Sequence, residues 1–317
     1  MVGIFLITPV FASVELVQIV SFSWDGSKLE SLSLGSGTAI DSNLILTNKH
    51  VVTKDDGTSA EFILICPAKT KSNRAVDCNV PAMVLALHPK FDAALIRILD
   101  NNVYLPKVSL GTHLRSKNEW IRVQGFPVPV EGLQNFGGKK TLENVQNWTK
   151  NGGVLTTAGD KLTITRGQIK QLAQRKDTGE IYYLTDVKVN HGNSGGAAFD
   201  RNGAFIGIPT MRDLNFNAFI LAYPQLREWV SENANTPAIV DQEILDFYKT
   251  KVKTTKTLSK VTTSTKSKNT SRAWQRTVVP VKKTRIRTFS RQPSTTRSTS
   301  SRTSIRNYLR KYYRSRE

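Results

Sequence analysis

The sequence predicts an all-β fold followed by a segment too polar and too basic to build a core. Three observations lead there. Between residues 14 and 230, short apolar segments of strand length recur between turn-rich stretches such as Asp55-Asp56-Gly57-Thr58, a spacing that argues for a sandwich or barrel. The chain has 317 residues, enough for one large domain or two smaller ones. Charge is divided unevenly: residues 251–317 hold 20 Lys and Arg against one acid, Glu317, a net of +19 out of +20 for the whole chain.

Taken in order, Val2 to Phe11 is apolar and is followed by Ala12. The small residue suits a signal peptidase, but the run is short and no basic residue precedes it. Residues 1–12 therefore read as a signal peptide cut after Ala12 or as a buried first strand. No run reaches the length of a membrane-spanning helix. Strands are expected at 16–20, at 42–47 leading into His50, at 61–65, 82–86, 93–98 and 120–124. Helical spacing appears at 224–230 and again over 239–248. Cys66 and Cys78 flank a turn-like stretch from Pro67 to Arg74. A disulfide closing so short a loop contributes about 3 kcal/mol in an oxidising compartment; two reduced thiols are the alternative. Two cysteines without a neighbouring histidine make a poor zinc set, so neither metal nor cofactor is expected.

The chemistry gathers around Gly192-Asn193-Ser194-Gly195-Gly196, which follows the strand-like stretch 184–189. A serine between glycines is one way to present a hydroxyl nucleophile, which needs a base to take its proton. The chain has four histidines. His50 stands after an apolar strand, with Gly35-Ser36-Gly37-Thr38-Ala39-Ile40 upstream. His88 lies four residues before Asp92, which heads the apolar stretch 93–98. His113 sits in a polar loop, and His191 precedes the glycine turn. The order His50, Asp92, Ser194 is one known order of an acyl-transfer triad.

Four motifs in that order, Gly-Ser-Gly-Thr-Ala-Ile, Ile-Leu-Thr-Asn-Lys-His-Val-Val, Phe-Asp-Ala-Ala-Leu-Ile-Arg-Ile and Gly-Asn-Ser-Gly-Gly, resemble the chymotrypsin-like (trypsin-fold) serine proteases, and most closely the HtrA-like branch. The stretches 165–169, 203–208 and 219–224 extend the likeness, which covers roughly residues 14–230. The resemblance implies two packed six-stranded β-barrels with a C-terminal helix and the cleft between them. The protease domain would span 13–233, with barrel one at about 13–115 and barrel two at about 116–225. A short helical linker at 234–250 and the tail at 251–317 would follow. It further implies that Ser194 attacks a peptide carbonyl, that His50 takes and returns the proton, and that Asp92 orients the imidazole. The N–H groups of Gly192 and Ser194 would face the oxyanion. Asn193 stands where zymogen-activated relatives carry an aspartate that pairs with a freshly cut amino terminus. Such activation is not expected, and no segment resembles a PDZ domain.

In that family the pocket floor is built five to six residues before the nucleophile, here Lys188 and Val189, and by the strand around Ile208 and Thr210. His191 would line the cleft. No acid stands there, which disfavours Lys or Arg substrates. With Lys188 outward the pocket is apolar; with Lys188 inward it attracts an acidic side chain. An unpartnered buried lysine is costly, which favours the outward reading.

The tail at 251–317 contains 25 Ser and Thr and few large aliphatics, a composition expected to be disordered. Its charge suits polyanions, whether nucleic acid, cell-wall polymer or an anionic membrane surface. Trp274, Phe289, Tyr308, Tyr312 and Tyr313 are available to stack on bases or sit at a lipid interface. The expected function is a serine endopeptidase acting on protein or peptide, outside the cytoplasm and localised by its tail. The alternative is a catalytically silent protease scaffold that binds polyanions.

Overall fold

The computed structural model describes residues 10–11, 15–69, 74–75, 78–128, 138–153, 155–157, 161–238 and 241–261. β1 (Val10–Phe11) comes first. The first barrel contains β2 (Leu16–Trp24), β3 (Leu29–Asp41) and β4 (Leu44–Thr47), then a helical turn α1 (Lys49–Val52), then β5 (Phe62–Lys69), β6 (Arg74–Ala75), β7 (Val80–Leu87) and β8 (Ala94–Ile98). Its order is β2-β3-β4-β8-β7-β5, closed by pairing of β5 with β2, with β6 a short addition to β5. β9 (Val103–Tyr104) pairs in parallel with β1. The second barrel holds β10 (Trp120–Gly125), a helix α2 (Gly138–Asn151), β11 (Thr163–Gln174), β12 (Ile181–Lys188), β13 (Ala197–Asp200), β14 (Phe205–Arg212) and β15 (Asn217–Ala222). It closes in the order β10-β11-β12-β15-β14-β13. A 3-10 turn (Tyr223–Gln225), α3 (Arg227–Asn233) and α4 (Gln242–Val261) follow. Two closed six-stranded barrels and a closing helix are what the motifs imply.

Each barrel is filled by alternate strand residues. Val17, Ile19, Ile45, Ile63 and Ile96 share the first core; Ile121, Val123, Ile169, Val187 and Ile206 share the second. β2 is buried on both faces, its polar Gln18, Ser21 and Ser23 included. Its odd residues fill the barrel. Its even residues, Leu16, Val20 and Phe22, belong to a cluster with Trp148 and Tyr248 on the barrel's outside.

That outer layer amends two expectations. The span of about 116–225 expected for barrel two also contains a helix: between β10 and β11 the chain forms α2, which packs on barrel one. Thr141, Val145, Trp148 and Thr149 are buried at helical spacing on α2. The ring of Trp148 meets Phe22 edge-on at 6.1 Å. Leu155 accepts a hydrogen bond from the Cys78 amide (3.3 Å), and Thr157 bonds Gln18 of β2 (2.5 Å). The stripe of Leu142, Val145 and Trp148 at helical spacing is present in the sequence, so this helix is legible there.

The second correction concerns the boundary at residue 250. The last helix does not end at 248 but runs to Val261. Asp41 and Asp241 both punctuate element ends, but only Asp241 caps a helix: its carboxylate accepts the amide of Glu243 (2.8 Å). Residues 251–261 contain no Gly or Pro to stop the helix. Phe247 lies 4.7 Å from the ring of Phe62 and 6.0 Å from that of Trp148. Tyr248 is fully buried, and its hydroxyl accepts from the Ile63 amide (2.7 Å) and donates to the Ile63 carbonyl (3.1 Å). The remaining tail, 262–317, and the apolar residues 1–9 lie outside the described residues.

The first prediction follows from that hydroxyl. Tyr248→Phe leaves a buried N–H and a buried C=O unpaired while keeping the ring. Urea unfolding is expected to show a loss of about 1–3 kcal/mol. An unchanged midpoint would mean that α4 does not hold β5.

Candidate active site

His50 lies in α1, directly after β4, and Asp92 lies in the turn between β7 and β8. The two come together: His50 Nδ1 is 2.7 Å from Asp92 Oδ2, and the His50 amide donates to Asp92 Oδ1 at 3.0 Å. The carboxylate thus receives both the ring and the backbone of one residue, which fixes the ring plane. Burial alone would raise the Asp92 pKa. The His50 charge, its two hydrogen bonds and the Lys49 amide outweigh burial and hold the carboxyl below its ordinary value. Behind the pair, Asn48 Nδ2 donates to the Asp92 carbonyl (2.7 Å) and to Thr210 Oγ1 on β14 (2.9 Å). The Asp92 amide donates to the buried Glu180 (3.2 Å).

Ser194 lies in the turn between β12 and β13, and β3 of the other barrel holds that turn. The Ser36 amide donates to the Ser194 carbonyl (2.8 Å), the Ser36 hydroxyl donates to the Gly192 carbonyl (2.6 Å), and Thr38 Oγ1 donates to the Gly195 carbonyl (3.4 Å). On the second barrel's side, the Gly195 amide donates to the Pro209 carbonyl of β14 (3.1 Å). The glycines permit this approach. Gly192 and Gly195 have φ of +87° and +79°. A Cβ on Gly195 would collide with Thr47 Oγ1 and the Ser36 carbonyl, and one on Gly192 with the Phe126 carbonyl.

The orientation of the expected oxyanion donors can be reasoned from their peptide planes. In a trans peptide, C=O and N–H point in opposite directions. The His191 carbonyl accepts the Val128 amide (2.8 Å), which turns the Gly192 N–H the other way. The Asn193 carbonyl accepts the Gly196 amide (3.0 Å), which does the same for the Ser194 N–H. Among the described residues, neither N–H donates to a protein acceptor.

Around this turn, Val189, Ile208 and Thr210 are buried, while His191 and Lys188 are exposed. Burial, then the charges of Arg212 and His50, hold the His191 pKa below its ordinary value. The Lys188 ammonium donates to the Asn215 carbonyl and to Asn217 Oδ1, each at 2.7 Å. Cys66 and Cys78 are bonded. A separate groove of about 590 Å³, lined by Ile40, Leu44, Leu110, Tyr223 and Val230 among others, shares no residue with this cleft. No cluster of metal-ligating side chains occurs among the described residues.

Three supporting residues escaped the sequence reading. Ser36 stands in a glycine motif that was legible, but its partner 156 residues away was not. Asn48 shows only as a polar residue ahead of His50. His88 is buried, 8% exposed, and stacked on Phe91 at 4.2 Å. Its Nδ1 accepts the amides of Lys90 (3.2 Å) and Phe91 (2.9 Å), shaping the turn that carries Asp92.

Comparison with known proteins agrees with this architecture. The family model described as a trypsin-like peptidase domain matches residues 35–208. The serine protease HTRA1 of Xenopus laevis is 28% identical over 230 residues, covering 72% of this chain and 42% of that protein. A probable periplasmic serine endoprotease, DegP-like, from Pseudomonas putida (strain W619) is 32% identical over 181 residues, covering 56% of this chain and 29% of that protein. The chain therefore spans less than half the length of these curated relatives. The crystal structure of the Rv3671c protease from M. tuberculosis, active form, matches with a TM-score of 0.52 at 15% identity, covering 73% of this chain and 85% of that one. At that identity the likeness is one of fold.

His88 supplies the second prediction. Burial, then the charges of Lys49 and Lys90, lower its pKa from 6.5 to about 4. The unfolded chain takes up this proton near 6.5 and the folded chain only near 4, so between these values the unfolded state binds more protons. Stability is therefore expected to fall as pH drops from about 6.5 to about 4, by up to about 3 kcal/mol. Asp92 adds a loss of the same sign only at lower pH. Unfolding curves of wild type and His88→Gln between pH 7 and 4 check this: the difference between them should change with pH. A constant difference would rule out a buried neutral His88.

Proposed function

The chain belongs to the trypsin-like peptidase family, and from that premise we propose that it is a serine endopeptidase of the HtrA-like branch working through His50, Asp92 and Ser194. The observation that carries the reading is the bond between His50 Nδ1 and Asp92 Oδ2. It leaves His50 Nε2 as the ring's free nitrogen, the base that a serine nucleophile needs. Ser194 Oγ attacks the peptide carbonyl and its proton passes to His50 Nε2. The carbonyl oxygen takes the negative charge and is met by the N–H groups of Gly192 and Ser194, each such donor typically contributing about 2.7–4 kcal/mol to the barrier reduction. His50 returns the proton to the leaving amine as the C–N bond breaks, and an ester of Ser194 remains. Water, deprotonated by His50, hydrolyses that ester. Throughout, Asp92 stabilises the imidazolium and remains ionised, for which its lowered pKa suits it.

A site of action outside the cytoplasm is supported by the Cys66–Cys78 bond, since such bonds persist in oxidising compartments. The substrate class is protein or peptide. The +19 of residues 251–317 supports capture of a polyanion by counterion release.

Two measurements test these assignments. An organophosphate serine reagent is expected to label the wild-type chain and not Ser194→Ala, while His50→Ala and Asp92→Asn lose about 10³–10⁴ in kcat. An unlabelled wild type would leave only the silent scaffold. For the tail, α4 sets where to cut: truncation must follow Val261, because a cut at 250 divides the helix. Chain 1–261 is expected to lose most of its salt-dependent affinity for heparin, and full retention would remove the tail from the account.

A further inference from the structure

We propose that Glu180 is a positioning residue for Asp92, holding from the second barrel the residue that orients His50 on the first; this rests on the endopeptidase reading above. Glu180 stands between β11 and β12 and is 2% exposed. Its Oε1 accepts the Asp92 amide at 3.2 Å, so one side chain of barrel two reaches directly to the backbone of the candidate triad.

Asp92 needs such a partner. It lies in a turn, outside any strand ladder, and the neighbouring amides of that turn are served from within barrel one. Those of Lys90 and Phe91 donate to His88 Nδ1, and that of Ala93 donates to the Phe91 carbonyl (2.9 Å). The Asp92 amide is directed at barrel two instead. The Asp92 carbonyl accepts Asn48 Nδ2 (2.7 Å). With N–H and C=O both claimed, the two peptide planes around Asp92 are fixed, and the direction of its Cα–Cβ bond with them. The carboxylate that meets the ring and the amide of His50 is therefore aimed from its backbone end as well.

Glu180 is itself held. Its Oε2 is 3.1 Å from Arg175 Nη1 and accepts the Thr178 hydroxyl (2.9 Å). The Arg175 amide donates to the Glu180 carbonyl (2.8 Å), closing the hairpin, and Gly179 makes the turn with φ of +79°. On the other side, the Gln225 side chain bonds both the amide (2.9 Å) and the carbonyl (2.8 Å) of Ile181. A buried carboxylate is costly unless it is paired and hydrogen-bonded. Here hairpin closure uses the backbone and the ion pair uses Oε2, which leaves Oε1 to Asp92. A bond to an ionised acceptor is stronger than one between neutral groups, so the charge makes this tether stiffer than an amide side chain would.

The decisive comparison uses full-length enzyme. Glu180→Met keeps the length of the side chain and removes the acceptor; Glu180→Gln keeps an oxygen that can accept. Serine labelling carried to completion counts active molecules in each preparation, and thermal melts check the fold. On one peptide substrate, Glu180→Met is expected to lower kcat per labelled molecule by about tenfold to a hundredfold, the scale of a misplaced catalytic group, with KM within about twofold. Glu180→Gln should recover kcat to within about threefold. The proton NMR signal of His50 Nδ1–H should move in Glu180→Met and stay in place in Glu180→Gln. A residue that serves only the fold would lower the melting temperature and leave both kcat per labelled molecule and that signal unmoved in Glu180→Met; this result overturns the proposal. Equal losses of kcat in the two variants overturn it too. If Glu180→Met does not fold, hydrogen exchange at the Asp92 amide of the wild type decides. Slow exchange there, with kcat kept in Glu180→Gln, is the expected result, and an amide that exchanges freely overturns the tether. Each of these failures leaves the endopeptidase reading standing, whereas a wild type that does not label removes that reading and this inference with it.

Discussion

The cleft depends on one buried contact, β3 of the first barrel against the turn 192–196 of the second. That turn has left β12 and not yet joined β13, so its backbone groups have no ladder to pair with, and buried polar groups left unpaired are costly. The first barrel supplies the partners through Ser36 and Thr38. Ser36 is fully buried and its hydroxyl is used in both directions, donating to the Gly192 carbonyl and accepting the Phe126 amide at 2.9 Å. Neither barrel alone satisfies these groups. The interface is therefore specified by hydrogen-bond need as well as by apolar area.

Catalytic geometry follows from the same accounting. Four successive carbonyls, those of His191, Gly192, Asn193 and Ser194, are each claimed by a donor: Val128, Ser36, Gly196 and again Ser36. Fixing a carbonyl fixes its peptide plane, and fixing the planes aims the intervening N–H groups without touching them. N–H groups held in this way would need no reorganisation before a developing charge, the condition under which such donors are most effective. Asn48 performs a similar service across the cleft, tying the Asp92 carbonyl to Thr210 on β14. The turn that carries Asp92 and the strand whose Pro209 carbonyl holds the Ser194 turn thus share one amide side chain.

The sequence revealed the parts of this arrangement that local chemistry dictates. A glycine–serine turn, a histidine after an apolar strand and an aspartate before another are conspicuous because each motif is contiguous and its spacing is constrained. Strand spacing likewise pointed to an all-β sandwich or barrel, which the resemblance narrowed to two barrels. What stayed hidden depends on partners distant in sequence. Ser36 looks like one more small residue between glycines until Gly192 is brought to it. His88 looks like a spare histidine until Phe91 and Trp229 stack around it. α2 has an apolar stripe whose partner, Phe22, lies far off in sequence, and α4, anchored by Phe247 and Tyr248, continues past the point where composition turns basic with no Gly or Pro to stop it. Lys188 reads as an outward side chain from the cost of burying its charge and is exposed; what stays hidden is its pair of acceptors, Asn215 and Asn217, 27 and 29 residues on.

The layer over barrel one is joined to the Ser194 turn through the chain and through β2. The segment leaving β10 begins at Phe126 and Val128, which brace the nucleophile turn, and the same excursion goes on to lay Trp148, Leu155 and Thr157 against β2 and the Cys78 region. Phe247 and Tyr248 of α4 pack against the same layer and bond β5. β2 pairs with β3 along its whole length, Gln18 opposite Ser36. The residue that holds the nucleophile turn therefore sits on a strand whose neighbour is held by the outer helices. Interiors packed at crystal-like density transmit displacement instead of absorbing it, so a shift of β2 under α2 and α4 is a shift of Ser36. Burial of an apolar strand face far from the chemistry and the aim of two backbone N–H groups are, in this chain, parts of one mechanical constraint.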